Sequence, residues 1–199
     1  MEMSGFVHYL WTLLSMLLSV TCTYSLLQPE WFVHSDYMYS FGIYAYCLRD
    51  FRYAVPGQIC GYYGGRFGIS SVPSRPWQAA CLLYGGGCMF LTISFLFALL
   101  SLSIRKGCDT TLVFMCTYLQ ILAVVFLLSG ILSFPFGLSS SYFRYYCGES
   151  ASIFYPGSCH ISWAYMLAIV ASSLSIFCPI LSRFIENTDC EDEARNMNI

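Results

Sequence analysis

The chain reads as a membrane protein, mainly α-helical: a four-transmembrane-helix bundle carrying a small extracellular antiparallel β-sheet. Three observations point there. Four uncharged stretches, about 8–27, 77–104, 112–134 and 161–183, each reach the roughly 20 apolar residues that a helix needs to span hydrocarbon. The two longer segments between them, about 28–76 and 135–160, hold two cysteines apiece: Cys47 with Cys60, and Cys147 with Cys159. The first of these segments is rich in tyrosine and in residues that suit strands. Composition agrees, since 57% of the 199 residues are hydrophobic and 10% charged, against about a quarter charged in a soluble domain.

The first span lacks a basic flank and exceeds the core of a cleaved signal, so it is expected to stay in the chain. In the first loop, Glu30–His34, Phe41–Leu48 and Gln58–Tyr63 have the aromatic and β-branched content of short strands. Pro56–Gly57 and Gly64–Gly65 break them. In the second span Gly85, Gly86 and Gly87 thin one half of the helix. The third span holds Gln120, the most polar mid-span side chain; a packing role is expected for it, with a hydrogen bond from its amide across to another helix as the alternative. Ser152–Tyr155 in the second loop is a candidate strand to lengthen the sheet. On the fourth span Ala164, Ala168 and Ser172 repeat at four-residue spacing, as do Ala171 and Ser175. Such rows let helix backbones approach closely, here within the bundle, with a homo-oligomer as the alternative.

One domain, residues 1–185, therefore accounts for the fold, and 186–199 form an acidic cytoplasmic tail expected to be disordered. Arg105, Lys106 and Arg183 flank spans and read as cytoplasmic under the positive-inside rule. Long loops translocate with their charges, so Arg49, Arg52, Arg66 and Arg75 do not oppose that reading. Loop cysteines in pairs belong to an oxidising compartment, which sets both loops outside and both termini inside the cell. Four cysteines allow three connectivities. The two within-loop pairs close the shortest rings, each contributing about 3 kcal/mol by chain entropy.

Charge and polarity exclude several functions. A net charge of −2 offers no basic field for nucleic acid. No Asp, Glu, Lys or Arg sits in the middle of a span, which argues against a pump or transporter built from this chain alone. No His/Cys cluster has metal-ligand spacing and no glycine-rich phosphate loop precedes a helix. An enzyme, a cofactor and a metal site are not expected. The residues that remain are Tyr44, Tyr46, Arg49, Arg52, Tyr62, Tyr63 and Arg66, a tyrosine and arginine mixture of the kind enriched at protein interfaces. The competing reading is a belt of rings at headgroup level, shared with Trp31, Trp77 and Trp163. At the C-terminus Met197-Asn198-Ile199 is compatible with capture by a PDZ groove. Cys108 and Cys190 are candidates for lipidation near the inner leaflet.

The stretch Phe41-Gly-Ile-Tyr-Ala-Tyr-Cys-Leu-Arg49, with Cys60-Gly61 and Pro76-Trp77-Gln78-Ala79, resembles the first-loop signature of the lipoma HMGIC fusion partner-like (LHFPL) tetraspan proteins. The likeness continues through Leu119-Gln120, Pro135 with Gly137, Tyr146-Cys147-Gly148, Pro156-Gly157, and Cys159 followed by Trp163-Ala164. More distantly, Trp31, Gly42-Ile43-Tyr44, Cys47 and Cys60 are similar to the claudin motif, from which Tyr44 departs in replacing a tryptophan. The resemblance implies a claudin-like left-handed bundle with an extracellular sheet and the two within-loop disulfides. It also implies an accessory subunit at the plasma membrane that binds, assembles or traffics an ion-channel or receptor complex, surrounded by membrane lipid. The alternative is claudin-like cell–cell adhesion or a paracellular barrier.

Overall fold

The computed structural model describes residues 2–50, 57–65, 68–103 and 110–185. Arg52, Arg66, the Arg105–Lys106 hinge, Cys108 and the acidic tail lie outside the described residues.

Among the described residues four helical segments are long and apolar enough to cross a membrane: Gly5–Leu27, Arg75–Leu102, Leu112–Ser139 and Trp163–Ile185. The first three build on helices α1 (Glu2–Leu27), α2 (Arg75–Ser103) and α3 (Thr110–Ser133). After α3 the chain tightens into a 3-10 turn over Phe134–Ser139, where Pro135 enters without an N–H to lose. A short helix, α4 (Ser141–Cys147), follows; the Phe143 N–H donates to the Ser140 side chain that caps it. Neither element was anticipated from the sequence. The fourth span starts at Trp163, two residues later than expected, as α5 (Trp163–Leu174). A turn at 175–176 interrupts it before helix resumes over 177–185. Pro179 is the cause: its ring excludes the Ser175 carbonyl that a regular helix would bond there.

Close backbones hold the bundle together. A Cβ added to Gly130 would lie 2.6 Å from the Tyr84 backbone nitrogen, so α2 and α3 touch main chain to main chain. Ala164, Ala168, Ala171, Ser172 and Ser175 of the fourth span are all buried inside the bundle. The polar groups in the interior are paired across helices. Gln120 accepts from Trp11 Nε1 at 3.2 Å and donates to Ser15 Oγ at 3.1 Å. Gln120 is thus a hydrogen-bonding hub between α3 and α1 rather than a packing residue alone, because its amide meets both an indole donor and a hydroxyl acceptor. Ser19 with Thr92, and Thr117 with Ser182, make further side-chain bonds of 2.9 Å between spans.

One end of the bundle carries a five-stranded antiparallel sheet in the order β4-β3-β2-β1-β5. Its strands are β1 (Phe32–His34), β2 (Tyr39–Phe41), β3 (Ala45–Asp50), β4 (Gly57–Tyr62) and β5 (Cys159–Ile161). Two strand expectations need correction. Phe41–Leu48 is not one strand: a turn at 42–44 folds it into the β2–β3 hairpin, with Gly42 N–H donating to Ala45 O at 2.8 Å. Only glycine fits there, since a Cβ would sit 2.7 Å from both Gln28 O and Pro29 Cα. The strand from the second loop is Cys159–Ile161, paired with β1, while Ser152 and Tyr155 form only an isolated bridge across a tight turn. Pro156 and Gly157 end that turn and release the chain toward β1.

Candidate functional site

The sheet-bearing cap gathers most of the residues expected to matter. Each strand sends alternate side chains to opposite faces. Phe32, Phe41 and Tyr46 point toward the bundle and join its aromatic core with Trp31, Tyr63, Trp77, Phe134, Phe143 and Tyr165. Trp77 stacks on Phe134 with ring centroids 5.2 Å apart and planes 7° from parallel. Trp31 meets Phe134 at 4.9 Å and Tyr84 at 5.3 Å. The indoles are also bonded: Trp31 Nε1 donates to Ser25 O at 2.8 Å and Trp77 Nε1 to Phe134 O at 3.1 Å. Both indoles are fully buried, which removes them from the interfacial belt considered above. Trp163 alone of the three faces outward, close to Tyr24 at 6.0 Å.

Two disulfides fasten this cap. Cys47 and Cys60 stand directly opposite in β3 and β4, with Cα atoms 4.0 Å apart. Cys147, the last residue of α4, joins Cys159, the first of β5, at a Cα separation of 5.3 Å. Glycines permit the second bridge. Gly148 ends α4 with φ 93°, and Gly157 turns the chain back with φ 65°; a Cβ on Gly157 would run into the Cys147 carbonyl. The remaining residues of the family pattern are also scaffolding. Pro135 is buried in the turn after α3, and the Tyr44 hydroxyl donates to Leu27 O at 3.0 Å, pinning the hairpin to the end of α1.

The expected partner surface is only partly a surface. Tyr63 is buried and its hydroxyl donates to Gly42 O at 3.0 Å, so it belongs to the core. It follows Tyr62 at the strand end, and adjacent strand residues face opposite ways. Tyr46 is half-buried, stacked on Tyr63 at 5.5 Å, and Tyr44 stacks on Tyr62 at 5.8 Å. Arg49 and Tyr62 are exposed as anticipated. Tyr37, another tyrosine of the first loop, is exposed too, and residues not anticipated extend the area: Ile59, Tyr145 (82% accessible), Phe154 (67%) and Tyr155. The tyrosines and the phenylalanine of the second loop were visible in the sequence, but β5 brings that loop beside the first. Burial pushes the phenols of Tyr63, Tyr142 and Tyr44 up from their ordinary range; neighbouring tyrosines add to the effect, Tyr142 and Tyr46 at Tyr63, Tyr146 and Tyr46 at Tyr142, Tyr62 at Tyr44. Among the described residues no three His, Cys, Asp or Glu side chains come together to hold a metal ion.

Fold and cap together define a four-span membrane protein whose sheet is drawn from two loops and closed by two disulfides. Residues 7–184 match the family described as lipoma HMGIC fusion partner-like protein, and the chain belongs to that family. Among its relatives, the LHFPL tetraspan subfamily member 7 protein of Xenopus tropicalis is 33% identical over 88% of each chain. The member 2 protein of Homo sapiens is 25% identical over 94% of this chain and 90% of its own. The member 5 protein of Gallus gallus is 28% identical over 81% of this chain and 71% of its own. The family is not an enzyme family.

Proposed function

We propose that this protein is a plasma-membrane accessory subunit that binds a channel or receptor laterally, through its helices and its cap, and so helps that complex assemble or travel. Both termini lie in the cytoplasm and the cap lies outside. The observation that supports this reading is a rigid cap exposing rings directly above an apolar helix face. Tyr24 and Leu27 on α1 continue the exposed row Leu13, Leu17 and Val20, and Tyr24 lies beside Trp163 at the sheet's edge. A neighbouring helix lying along that row would meet lipid-facing side chains below and tyrosines above, so one partner engages both parts. Disulfide-fixed aromatic surfaces bind with little ordering cost.

Cross-linking in native membranes, followed by purification in mild detergent, tests this. A multi-pass channel or receptor subunit is the expected product. Recovery of this chain alone, as a homo-oligomer, rejects the reading. So does enrichment restricted to borders between two expressing cells in a mixture with non-expressing cells, the result that adhesion predicts.

A further inference from the structure

The sheet face turned away from the bundle holds a cavity of about 230 Å³ that nothing above assigns. Its floor is Val33, Ser40 and Cys47, which stand side by side on β1, β2 and β3. One wall is Glu30 with Trp163, the other is Arg49 with Gln58, directly paired across β3 and β4. Glu30 is held in place: its carboxylate accepts from Trp163 Nε1 at 2.8 Å and from Gln58 Nε2 at 3.5 Å. Arg49 is exposed and makes no ion pair among the described residues. Ser40 is only 6% accessible and its hydroxyl has no hydrogen-bond partner among the described residues. An unpaired hydroxyl that deep is costly unless something fills the cavity and bonds it.

The cavity presents a fixed carboxylate, an unpaired guanidinium and a buried hydroxyl, with an indole at its rim. That set suits a ligand carrying an ammonium and a phosphate together. The carboxylate with the Trp163 ring takes the cation, and the guanidinium takes the phosphate. Size and position narrow the choice further. The volume falls below the roughly 300–1,000 Å³ of sites for drug-sized molecules, so a headgroup fits and a larger ligand does not. Trp163 begins the fourth span and Glu30 lies three residues past the end of α1, which sets this wall at the membrane interface. We propose that the cavity binds the zwitterionic headgroup of a phospholipid from the leaflet around the cap. The ammonium sits at Glu30, the phosphate at Arg49, and Ser40 Oγ donates to a phosphate oxygen.

The full chain, purified in detergent, is titrated with phosphatidylcholine, with phosphatidylglycerol, or with free phosphocholine, and adducts are read by native mass spectrometry. Phosphatidylcholine is expected to bind about tenfold more tightly than phosphatidylglycerol, a preference that a paired ammonium site can supply. E30Q together with R49Q should abolish the preference. S40V, which fills the floor without touching either charge, should weaken phosphatidylcholine binding while the unfolding temperature of the lipid-free chain stays the same or rises, because the unpaired hydroxyl is gone. Equal binding of the two lipids, or a preference that survives E30Q/R49Q, overturns the proposal. So does free phosphocholine binding as tightly as the lipid, which would assign the cavity to a soluble zwitterion. No protein partner enters this experiment, so its outcome is separate from that of the accessory-subunit reading.

Discussion

Two glycines at opposite edges of the sheet show how much single residues decide in the cap. Gly157 has a positive φ and faces the Cys147 carbonyl, whereas a Cβ on Gly61 would meet only the Tyr46 hydroxyl at 4.0 Å. Gly157→Ala is therefore expected to destabilise the cap by about 1–3 kcal/mol through backbone strain, with the collision adding to it. Gly61→Ala should be neutral or slightly stabilising, since it only restricts the unfolded chain. Thermal unfolding of the two variants in detergent, followed by cap tyrosine fluorescence, separates them. Gln120→Leu removes both bonds to α1 and leaves Trp11 Nε1 unpaired. A loss of about 0.6–1.7 kcal/mol is expected, the range for polar bonds within membranes, read as a lower unfolding midpoint. Phenol ionisation adds a pH dependence of definite sign. Tyr63 and Tyr142 hold their protons more tightly folded than unfolded, chiefly because burial disfavours the phenolate. Their contribution is complete below about pH 10, the unfolded tyrosine value. It falls as pH rises beyond that, by up to about 1.4 kcal/mol per pH unit for the buried Tyr63 and by less for the half-buried Tyr142, where solvent screens the effect. In an alkaline titration, phenolate absorbance from these two residues should appear together with loss of the cap. Ionisation of Tyr63 well before unfolding would contradict its burial.

Among the elements, the spans were readable and the short connections between them were not. A run of about 20 apolar residues declares itself because lipid demands a helix whatever the detailed pattern. β5 is three residues long and merges on its far side with the apolar run of the fourth span, so Ile161 passed as the start of that span. The α4 segment, Ser-Tyr-Phe-Arg-Tyr-Tyr-Cys, makes fewer than two full turns and shows no usable period. The Gly42 turn had its signal in the sequence, a glycine inside a strand pattern, which ordinarily marks a bend or a close approach. In the candidate site the cysteine pairs were legible from spacing. The inward turn of Tyr63 was not, because facing depends on register, and register is set by pairing with β3. Disulfides give this scale its own prediction. The two bridges join cysteines 13 and 12 positions apart in the chain, so chain entropy assigns each about 3 kcal/mol. Their structural consequences differ, however. Losing Cys47–Cys60 frees β4 at the sheet's edge, whereas losing Cys147–Cys159 loosens β5 and with it the attachment of the second loop to β1. Replacing each pair by serine should lower stability similarly. Only the second variant should expose backbone amides of β1 to hydrogen exchange.

At the scale of the whole molecule, everything rests on four spans, an even number that returns the chain to the side on which it started. The two loops that build the sheet must then share one side of the membrane, because β1 and β5 are hydrogen-bonded neighbours drawn from different loops. Sheet pairing thus ties the topology of the two halves together: neither loop can be inverted without breaking the β1–β5 ladder and the Trp31–Tyr165 ring contact at 5.2 Å. The disulfides favour an oxidising compartment for that side. An impermeant thiol reagent applied to intact cells should consequently fail to label Cys47, Cys60, Cys147 and Cys159 until a reductant is added, and label all four afterwards. The thiols buried in the bundle, Cys22, Cys88, Cys116 and Cys178, should stay unlabelled in both conditions. Epitopes fused to either terminus should become accessible only after permeabilisation. Labelling of the 47–60 pair without the 147–159 pair would separate the two loops and contradict the shared sheet. Failure of all four after reduction would place the cap in the cytoplasm, where its exposed rings could not meet the outer surface of a channel or receptor.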